Sequence, residues 1–341
     1  MVRKTILIVL SITLIVSGYF AYQLNKQFNQ IKHVTIDKSD QALGIKMNNL
    51  GDRLEEKLNY DKKTFYNDDV VNIALFGLDR RSPEESARSD SIMILTIDYS
   101  NKEIKLSSIM RDLRVPIEKH GMDKINHAYS YGGPQLAVKT INQNFGTNIK
   151  DFVAVDFDGL KKIIDVYGGV TVLINDNEIS YVNQCIANSE NYLSKAGKQL
   201  LNGEQAVAFS RVRYIGNGDF ERTERQRKIL VDMIHKTRDS GLSSFPGYVA
   251  EIMPHVQTSL DKTTILSLGM KCFKEDIKTL EEERFPLDGY WEDTKISGVY
   301  YLSADIDKTK QHIVDFIYGS ASKVSQDLAC FQILFVNKAK S

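Results

Sequence analysis

Residues 70–77, Val-Val-Asn-Ile-Ala-Leu-Phe-Gly, form an apolar run that ends in a glycine. A short apolar run bounded by a turn residue is typical of a buried β-strand. Two similar runs follow at residues 92–97 and 104–109, and the residues 99–102 between them predict a hairpin. The sequence therefore predicts three successive strands that begin a sheet.

Helices and further strands alternate after this segment. The pattern predicts a helix over residues 134–144, a strand over 152–155, a helix over 158–166 and a strand over 170–173. Gly168-Gly169 would end the second helix, because glycine readily adopts the left-handed conformation found at helix ends. This alternation of strands and helices predicts an α/β fold.

The N-terminal residues predict a membrane anchor. Thr5 to Asn25 are 21 residues without a charged side chain. As a helix they would extend roughly 31 Å, close to the ~30 Å hydrocarbon core of a bilayer. A cleaved signal peptide is the alternative, but its apolar core is shorter, about 7–15 residues. Residues 1–4 would then be a short cytoplasmic N-terminus, residues 26–69 a polar spacer, and the rest of the chain extracytoplasmic.

The amino-acid composition limits which functions and which kinds of site the sequence can support. The 44 Lys and Arg residues balance the 44 Asp and Glu residues, so the net charge argues neither for nor against a nucleic-acid partner. The three cysteines lack CxxC spacing, which excludes a disulfide framework and disfavours a cysteine metal site. The length accommodates a catalytic domain over residues 70–240 and a C-terminal extension over 241–341 packed on it.

Two aspartates, Asp79 and Asp90, lie between the first two predicted strands. Asp79 follows the glycine-terminated strand and Asp90 precedes the next strand, so both could converge at one edge of the sheet. Carboxylates of this kind hold a divalent cation beside phosphate groups. A role in a turn or a helix cap is the structural alternative for each aspartate.

Arginines recur where predicted elements end. Arg111 follows the strand over residues 104–109 and is adjacent to Asp112, while Arg211 and Arg213 alternate before a glycine-containing loop. A guanidinium in such a place can bind phosphate oxygens through two donors. A surface ion pair is the alternative, and such a pair contributes only about 0–1 kcal/mol.

The helix that begins near Asp219 turns charged groups toward its apolar face. At 100° per residue, Asp219, Arg222 and Gln226 share a stripe with Ile229 and Met233. Buried charges are costly unless they are paired or bind a ligand. The pattern therefore predicts an enclosed anionic ligand or, as the alternative, a structural network of ion pairs.

Together these motifs resemble the LytR-CpsA-Psr family of extracytoplasmic phosphotransferases. The resemblance covers about residues 71–238 in eight segments, in the family's order: FGLDRR (76–81), RSDSIMILTID (88–98), SSIMRD (107–112), KINHAYSYGGP (124–134), VDFDG (155–159), DVYGGV (165–170), LNGEQAVAFSRVR (201–213) and DFERTERQRK (219–228). Leu78 and Met110 depart from the small residue and the proline usual in the family, and neither departure removes a charged group.

The resemblance implies a fold, a reaction and a location. The fold is a mixed β-sheet flanked by helices, an α-β-α sandwich, after one N-terminal transmembrane helix. The reaction transfers a glycopolymer, such as teichoic acid or capsular polysaccharide, from a polyprenyl pyrophosphate carrier to peptidoglycan and releases polyprenyl phosphate. The location is the cell membrane of a Gram-positive bacterium, with the catalytic domain outside.

The resemblance also implies roles for individual residues. Asp79 and Asp90 would bind Mg²⁺, with Mn²⁺ as a second candidate. Arg111, Asp219 and Arg222 would be catalytic. The residues expected to bind the pyrophosphate are Arg88, Arg111, Arg211, Arg213, Arg222, Arg225 and Gln226.

Three other functions stay open at this point. They are a hydrolase that uses water as the acceptor, a membrane-anchored transcriptional regulator or attenuator, and a non-catalytic lipid-glycan binder. A regulator needs a cytoplasmic DNA-binding domain, and the sequence shows no helix-turn-helix pattern. A non-catalytic binder is expected to lack the aspartate pair, yet Asp79 and Asp90 are both present.

Overall fold

The computed structural model describes residues 32–45, 69–79, 87–213, 215–216 and 218–319. Among these residues, no helix is both long enough and apolar enough to cross a bilayer. The anchor predicted over residues 5–25 lies outside the described residues and stays a prediction.

Strands and helices follow one another along the chain and are numbered in chain order. The strands are β1 Lys32–His33, β2 Val70–Asp79, β3 Arg88–Asp98, β4 Glu103–Ile109, β5 Arg114–Ile117, β6 Gly121–Lys124, β7 Asp151–Asp156, β8 Val170–Ile174, β9 Gly197–Leu201, β10 Gln257–Thr258, β11 Thr279–Phe285, β12 Trp291–Ile296 and β13 Val299–Ala304. The helices are α1 His127–Phe145, α2 Phe157–Val166, α3 Asp176–Gln184, α4 Gly203–Arg211, α5 Asp219–Ser240, α6 Phe245–Ile252, α7 Lys262–Lys274 and α8 Ile306–Tyr318.

The described residues fall into two compact units. Of the described residues, those within 35–153, 218–227 and 275–319 form the sheet unit, and those within 32–34, 154–216 and 228–274 form the helical unit. The chain passes from one unit to the other within β7 and within α5.

The sheet unit contains a mixed sheet with strands in the order β2-β3-β4-β11. β2, β3 and β4 pair antiparallel, whereas β11 pairs with β4 in parallel. The three strands predicted at the start of the sheet are confirmed, and so is the mixed α/β fold. The α-β-α layering and the domain boundaries at residues 70 and 240 stay predictions.

Helices α1 and α8 pack on this sheet and against each other. Phe76 of β2 contacts Tyr129 of α1 edge to face, with ring centroids 5.3 Å apart. Gly132 and Gly133 have non-helical dihedral angles inside α1, so that regular helix resumes at Pro134. The helix predicted from Pro134 is therefore confirmed, because proline is well suited to a first turn, where its missing N–H is not needed.

A buried polar residue, Asn72, connects β2 to its surroundings. Its amide group donates to Asn148 Oδ1 at 2.8 Å and to Tyr318 Oη at 3.0 Å, and its Oδ1 accepts from Thr96 Oγ1 at 2.6 Å. These bonds replace those that water would make, which a buried amide requires. The one polar residue inside the apolar run thus fixes the sheet to both the end of α8 and the loop after α1.

The C-terminal segment after residue 275 adds to the sheet unit. It supplies β11 and the antiparallel hairpin of β12 and β13. The backbone N–H of Leu302 in β13 donates to the carbonyl of Asp112 at 2.9 Å. Residues far along the chain therefore lie beside the segment that follows β4.

The helical unit has its own apolar core. Buried side chains of α2, β8, α4 and α5 form it, among them Ile164, Val170, Phe209 and Ile229. Helices α2 and α4 approach closely at Gly203, where an added Cβ would lie 2.2 Å from the carbonyl oxygen of Lys161. Only a glycine allows this approach of the two backbones.

We expect Gly203→Ala to lower the free energy of unfolding by roughly 1–3 kcal/mol, because the new methyl group must push α2 and α4 apart. Gly247→Ala in α6 is the matched control, since an added Cβ there meets nothing within 4 Å. It should leave stability unchanged or raise it by up to about 1 kcal/mol. Urea unfolding followed by circular dichroism measures both, and equal midpoints for the two variants would contradict the close approach.

Candidate active site

Four side chains of the sheet unit form a closed ring of ion pairs, here called the Arg–Asp ring: Asp90, Arg111, Asp219 and Arg222. Arg111 donates from Nη1 to Asp90 Oδ2 and from Nε to Asp219 Oδ2, both at 2.6 Å. Arg222 donates from Nη1 to Asp219 Oδ1 at 3.0 Å and from Nη2 to Asp90 Oδ2 at 3.2 Å. Each carboxylate therefore bridges both guanidinium groups.

A β-bulge places Asp90 in the ring. Gly77 pairs with Ser91 and Leu78 pairs with Ser89, so Asp90 is the extra residue that no residue of β2 opposes. A bulge bends its strand and redirects the side chain of the extra residue. The backbone carbonyl of Asp90 also accepts from Arg222 Nη2 at 2.8 Å, which fixes the bulge to α5.

The other three members lie where elements begin or end. Arg111 follows the last residues of β4, and Asp219 and Arg222 occupy the first turn of α5. Thr223 in the next position of α5 lies near the end of β4 as well, with its hydroxyl 3.7 Å from the sulfur of Met110. The start of α5 is thereby held against the end of β4.

The ring is largely shielded from water. The Arg222 side chain is 4% exposed and the Asp90 side chain 10%, while Arg111 and Asp219 retain 17% and 22%. Burial acts to lower the pKa of Arg111, but attraction to Asp90, Asp219 and Asp112 outweighs it and holds the pKa above its usual value. Arg111 therefore stays charged at neutral pH.

Asp112 and Lys124 extend the ring on one side. Asp112 Oδ2 lies 3.4 Å from Arg111 Nε, and Lys124 Nζ lies 2.6 Å from Asp112 Oδ1. Asp112 is the sequence neighbour of Arg111, but Asp90 and Asp219 make the shorter contacts with its guanidinium. Lys124 was missed altogether, although it opens the family-like segment at residues 124–134.

The two aspartates predicted to bind a metal lie at the same end of the β2–β3 hairpin. Asp79 is the last residue of β2, opposite Arg88, and Asp90 lies in the bulge. No group of three or more His, Cys, Asp or Glu side chains suited to a metal occurs in the described part of the chain. Two carboxylate donors nevertheless suit Mg²⁺, which is commonly held by one or two carboxylates together with substrate phosphates.

The remaining predicted ligands differ in burial. Arg88 is exposed at the start of β3, whereas Arg225 is 4% exposed and donates to Glu221 Oε2 at 3.3 Å. Gln226 is half-buried. The inward face predicted for α5 is confirmed for Arg222, but Arg225 is more buried than Gln226.

Arg211 and Arg213 belong to the helical unit, and both are exposed. Arg211 ends α4, with its guanidinium 5.2 Å from the centroid of the Phe157 ring. Val212 has extended backbone angles, φ −60° and ψ 127°, so the helix stops between the two arginines. The structure thus brings together Asp90, Arg111, Asp219 and Arg222. Arg211 and Arg213 belong to the helical unit instead.

Comparison with known proteins identifies relatives that match most of the described residues. The profile of the LytR_cpsA_psr family matches residues 32–314. A Bacillus mycoides protein named polyisoprenyl-teichoic acid–peptidoglycan teichoic acid transferase TagU is 34% identical over 248 residues, which cover 72% of this chain and 77% of the relative.

Solved structures give the same relationship. A structure described as TagT bound to LI-WTA superposes with a TM-score of 0.60 at 28% identity, covering 74% of this chain and 92% of that one. Another, described as a LytR-CPS2A-psr family protein with bound octaprenyl pyrophosphate lipid, superposes with a TM-score of 0.57 at 26% identity. It likewise covers 74% of this chain and 92% of that chain.

We expect Arg222→Ala to lower the free energy of unfolding by about 3 kcal/mol, because it removes one of the two guanidinium groups that neutralise the partly buried carboxylates of Asp90 and Asp219. The control is Lys278→Ala, which removes an ion pair with Asp276 whose side chains are 69% and 67% exposed. That change should cost at most about 1 kcal/mol. Chemical denaturation of both variants measures the difference, and an Arg222→Ala loss as small as the control's would show that the ring does not stabilise the fold.

Proposed function

Because the chain belongs to the LytR-CpsA-Psr family, we propose that it transfers a wall glycopolymer from a polyprenyl pyrophosphate carrier to peptidoglycan. A hydroxyl group of peptidoglycan attacks the phosphorus atom that bears the glycan, and the bond from this phosphorus to the bridging oxygen breaks. The products are a glycan–peptidoglycan phosphodiester and polyprenyl phosphate, which takes the bridging oxygen. The Arg–Asp ring is the observation that carries this proposal.

The ring suits phosphoryl transfer because its donors are held in place before a substrate arrives. Such a reaction needs little covalent help from the protein and depends on positioning and charge neutralisation. Arg111 and Arg222 present planar forks of N–H donors that match phosphate oxygens. Their carboxylate partners fix both forks, so little reorganisation is needed in the transition state.

Charge balance within the ring suggests how it accepts a pyrophosphate. Two guanidinium groups face two carboxylates, so the ring by itself has no net positive charge to offer a pyrophosphate. We place Mg²⁺, or Mn²⁺, at Asp79 and Asp90, where the ion would supply positive charge to phosphate oxygens when bound. If Asp90 held such an ion, Arg111 and Arg222 would be able to direct donors toward the phosphate oxygens. Asp219 then keeps both arginines oriented and is the candidate group to receive the proton of the acceptor hydroxyl.

The other predicted ligands would complete the binding of the phosphates. Arg88, Arg211 and Arg213 are exposed, and phosphate binding by these three arginines stays a prediction. Arg225 is buried, so its role is to hold the first turns of α5 through Glu221. Gln226 would add a neutral donor.

The lipid-linked substrate also supports the predicted topology. A polyprenyl carrier keeps its pyrophosphate at a membrane surface, and peptidoglycan lies outside the cell. We therefore propose that residues 5–25 anchor the protein and that the Arg–Asp ring lies on the extracytoplasmic side. Relatives named as teichoic acid transferases favour a teichoic-acid-like glycopolymer as the donor.

We expect Arg111→Lys to reduce turnover by roughly 100-fold or more. Lysine keeps the positive charge but lacks the planar pair of donors that bridges two acceptors. The loss of one transition-state donor typically lowers kcat by a factor on the order of 10²–10³. The assay uses the full-length protein in detergent, a short-glycan polyprenyl pyrophosphate, uncrosslinked peptidoglycan and Mg²⁺, with mass spectrometry of the conjugate. Arg238→Lys is the matched control, an arginine whose side chain is 39% exposed and pairs with Asp239.

Metal dependence is tested in the same assay. Removing divalent cations with EDTA should abolish conjugate formation and adding Mg²⁺ should restore it, while Asp90→Asn should raise the Mg²⁺ concentration needed. Polyprenyl phosphate released without a conjugate would instead indicate a hydrolase. Full activity of the wild-type protein in EDTA would exclude the proposed metal site.

A further inference from the structure

The first described residues attach the chain to the helical unit. Strand β1 pairs in parallel with β10, so that Lys32 lies opposite Gln257. The backbone N–H of Val34 donates to the carbonyl of Thr258 at 2.9 Å. Lys32 therefore lies beside the 3₁₀ turn Met253–His255, which leads directly into β10.

Helix α2 packs against the same turn. At Gly159, in its first turn, an added Cβ would lie 2.4 Å from the carbonyl oxygen of His255. Lys162 is three residues further along α2, and residues at this spacing are neighbours on a helix surface. The Lys162 side chain is exposed, whereas His255 is half-buried. Lys162 and Lys32 thus approach His255 from two different segments of the helical unit.

The pKa of His255 reports how close the two lysines are. Burial lowers this pKa, and the positive charges of Lys162 and Lys32 lower it further. His255 is therefore mostly neutral at neutral pH, and the two lysines carry the charge of the group. Lys32, Lys162 and His255 are called the basic patch below.

The charge of the basic patch is not neutralised by the carboxylates of α2. Asp158 pairs with Lys161 at 3.7 Å, and Asp165 accepts from the backbone N–H of Gly203 at 2.7 Å. In the described part of the chain, neither Lys32 nor Lys162 forms an ion pair. Positive charges that act on one imidazole also repel each other, so an anion placed between them is stabilised.

The chain length before Lys32 limits how far the basic patch lies from the bilayer. Residues 26–31 separate Lys32 from the end of the predicted anchor at Asn25. Even fully extended, six residues reach only roughly 20–22 Å. Of the described residues, Lys32 is also the first to follow that anchor along the chain. The surface around β1 is therefore kept close to the membrane.

We propose that Lys32 and Lys162 bind anionic lipid headgroups, so that the surface around His255 is the face of the helical unit that meets the bilayer. Lysines near an anionic membrane surface are attracted to it, and the attraction acts within about 8 Å at physiological ionic strength. The inference rests on the anchor at residues 5–25 that is part of the proposed function. It adds the orientation in which that anchor presents the helical unit.

The short connection favours a lipid over a free phosphate ion as the occupant. Both ligands offer the same phosphate oxygens to the lysines. A lipid headgroup, however, stays within reach of a patch that is tethered to the same bilayer, and its effective concentration is correspondingly high. The structural alternative is that both lysines are simply solvated, in which case lipid composition has no effect on them.

Chemical labelling of lysines tests the proposal on the full-length protein. The protein is placed in lipid nanodiscs made either of phosphatidylcholine alone or of phosphatidylcholine mixed with phosphatidylglycerol. A water-soluble acetylating reagent is added, and mass spectrometry follows the acetylation rate of each lysine. Lys195 and Lys198 are internal controls, because both are exposed lysines of the helical unit.

We expect phosphatidylglycerol to slow acetylation of Lys32 and Lys162 roughly fivefold, which is the effect of one lysine at an anionic surface. Lys195 and Lys198 should react at the same rate in both kinds of disc. Concentrated salt should remove the difference, because it screens the attraction. Lys162→Glu should restore most of the reactivity of Lys32, whereas the matched variant Lys198→Glu should not.

Three results would overturn the inference. Equal rates for Lys32 and Lys162 in both kinds of disc would show a solvated surface, and an equal slowing of Lys195 and Lys198 would show a general effect of the lipid. Protection by inorganic phosphate in phosphatidylcholine discs, as strong as that by phosphatidylglycerol, would assign a free anion instead.

Failure of the proposed function has a different signature. A protein that does not enter nanodiscs, as judged by size-exclusion chromatography, would overturn the anchor and the inference together. A protein that enters the discs but shows equal lysine rates would overturn the inference alone. Conjugate formation in the transferase assay is measured separately and does not depend on the lysine rates.

Discussion

The guanidinium of Arg222 is buried, and a buried positive charge is stable only where carboxylates and carbonyls surround it. Here Asp90 supplies a side-chain oxygen and a backbone carbonyl, and Asp219 supplies the second carboxylate. Arg111 then neutralises what remains of their charge. One costly burial thus determines how the bulge in β3, the end of β4 and the first turn of α5 are placed relative to one another.

This constraint also explains why the site can serve chemistry as well as stability. An ion-pair ring that is complete by itself holds its donors rigidly, yet each donor can exchange a carboxylate for a phosphate oxygen at small geometric cost. The bulge places Asp90 in the ring. In a regular strand Asp90 would pair with a residue of β2, whereas as the extra residue of a bulge it has no partner in β2 and its side chain is redirected. Local irregularity in a strand therefore creates the position that both the arginines and a proposed cation use.

The C-terminal segment extends the site beyond the ring. β11 completes the mixed sheet beside β4, and the β12–β13 hairpin brings Tyr300 and Tyr301 to Lys124 and Asp123. The family profile, which extends to residue 314, includes this segment. The hairpin is thereby linked to the Arg–Asp ring through Lys124 and Asp112.

Apolar periodicity in the sequence determined β2, β3, β4 and the helix from Pro134, because local burial and turn chemistry fix such elements. Helical spacing likewise identified Arg222 as an inward-facing charge on α5. Tertiary structure alone decided the ring, since Asp90, Arg111 and Asp219 lie 21 to 108 positions apart where they share a contact. The tertiary structure also determines the bulge at Asp90, the parallel pairing of β11 with β4 and the position of Tyr300 beside Lys124. Each of these depends on backbone pairing or charge compensation between distant segments, for which a local pattern of residues carries no signal.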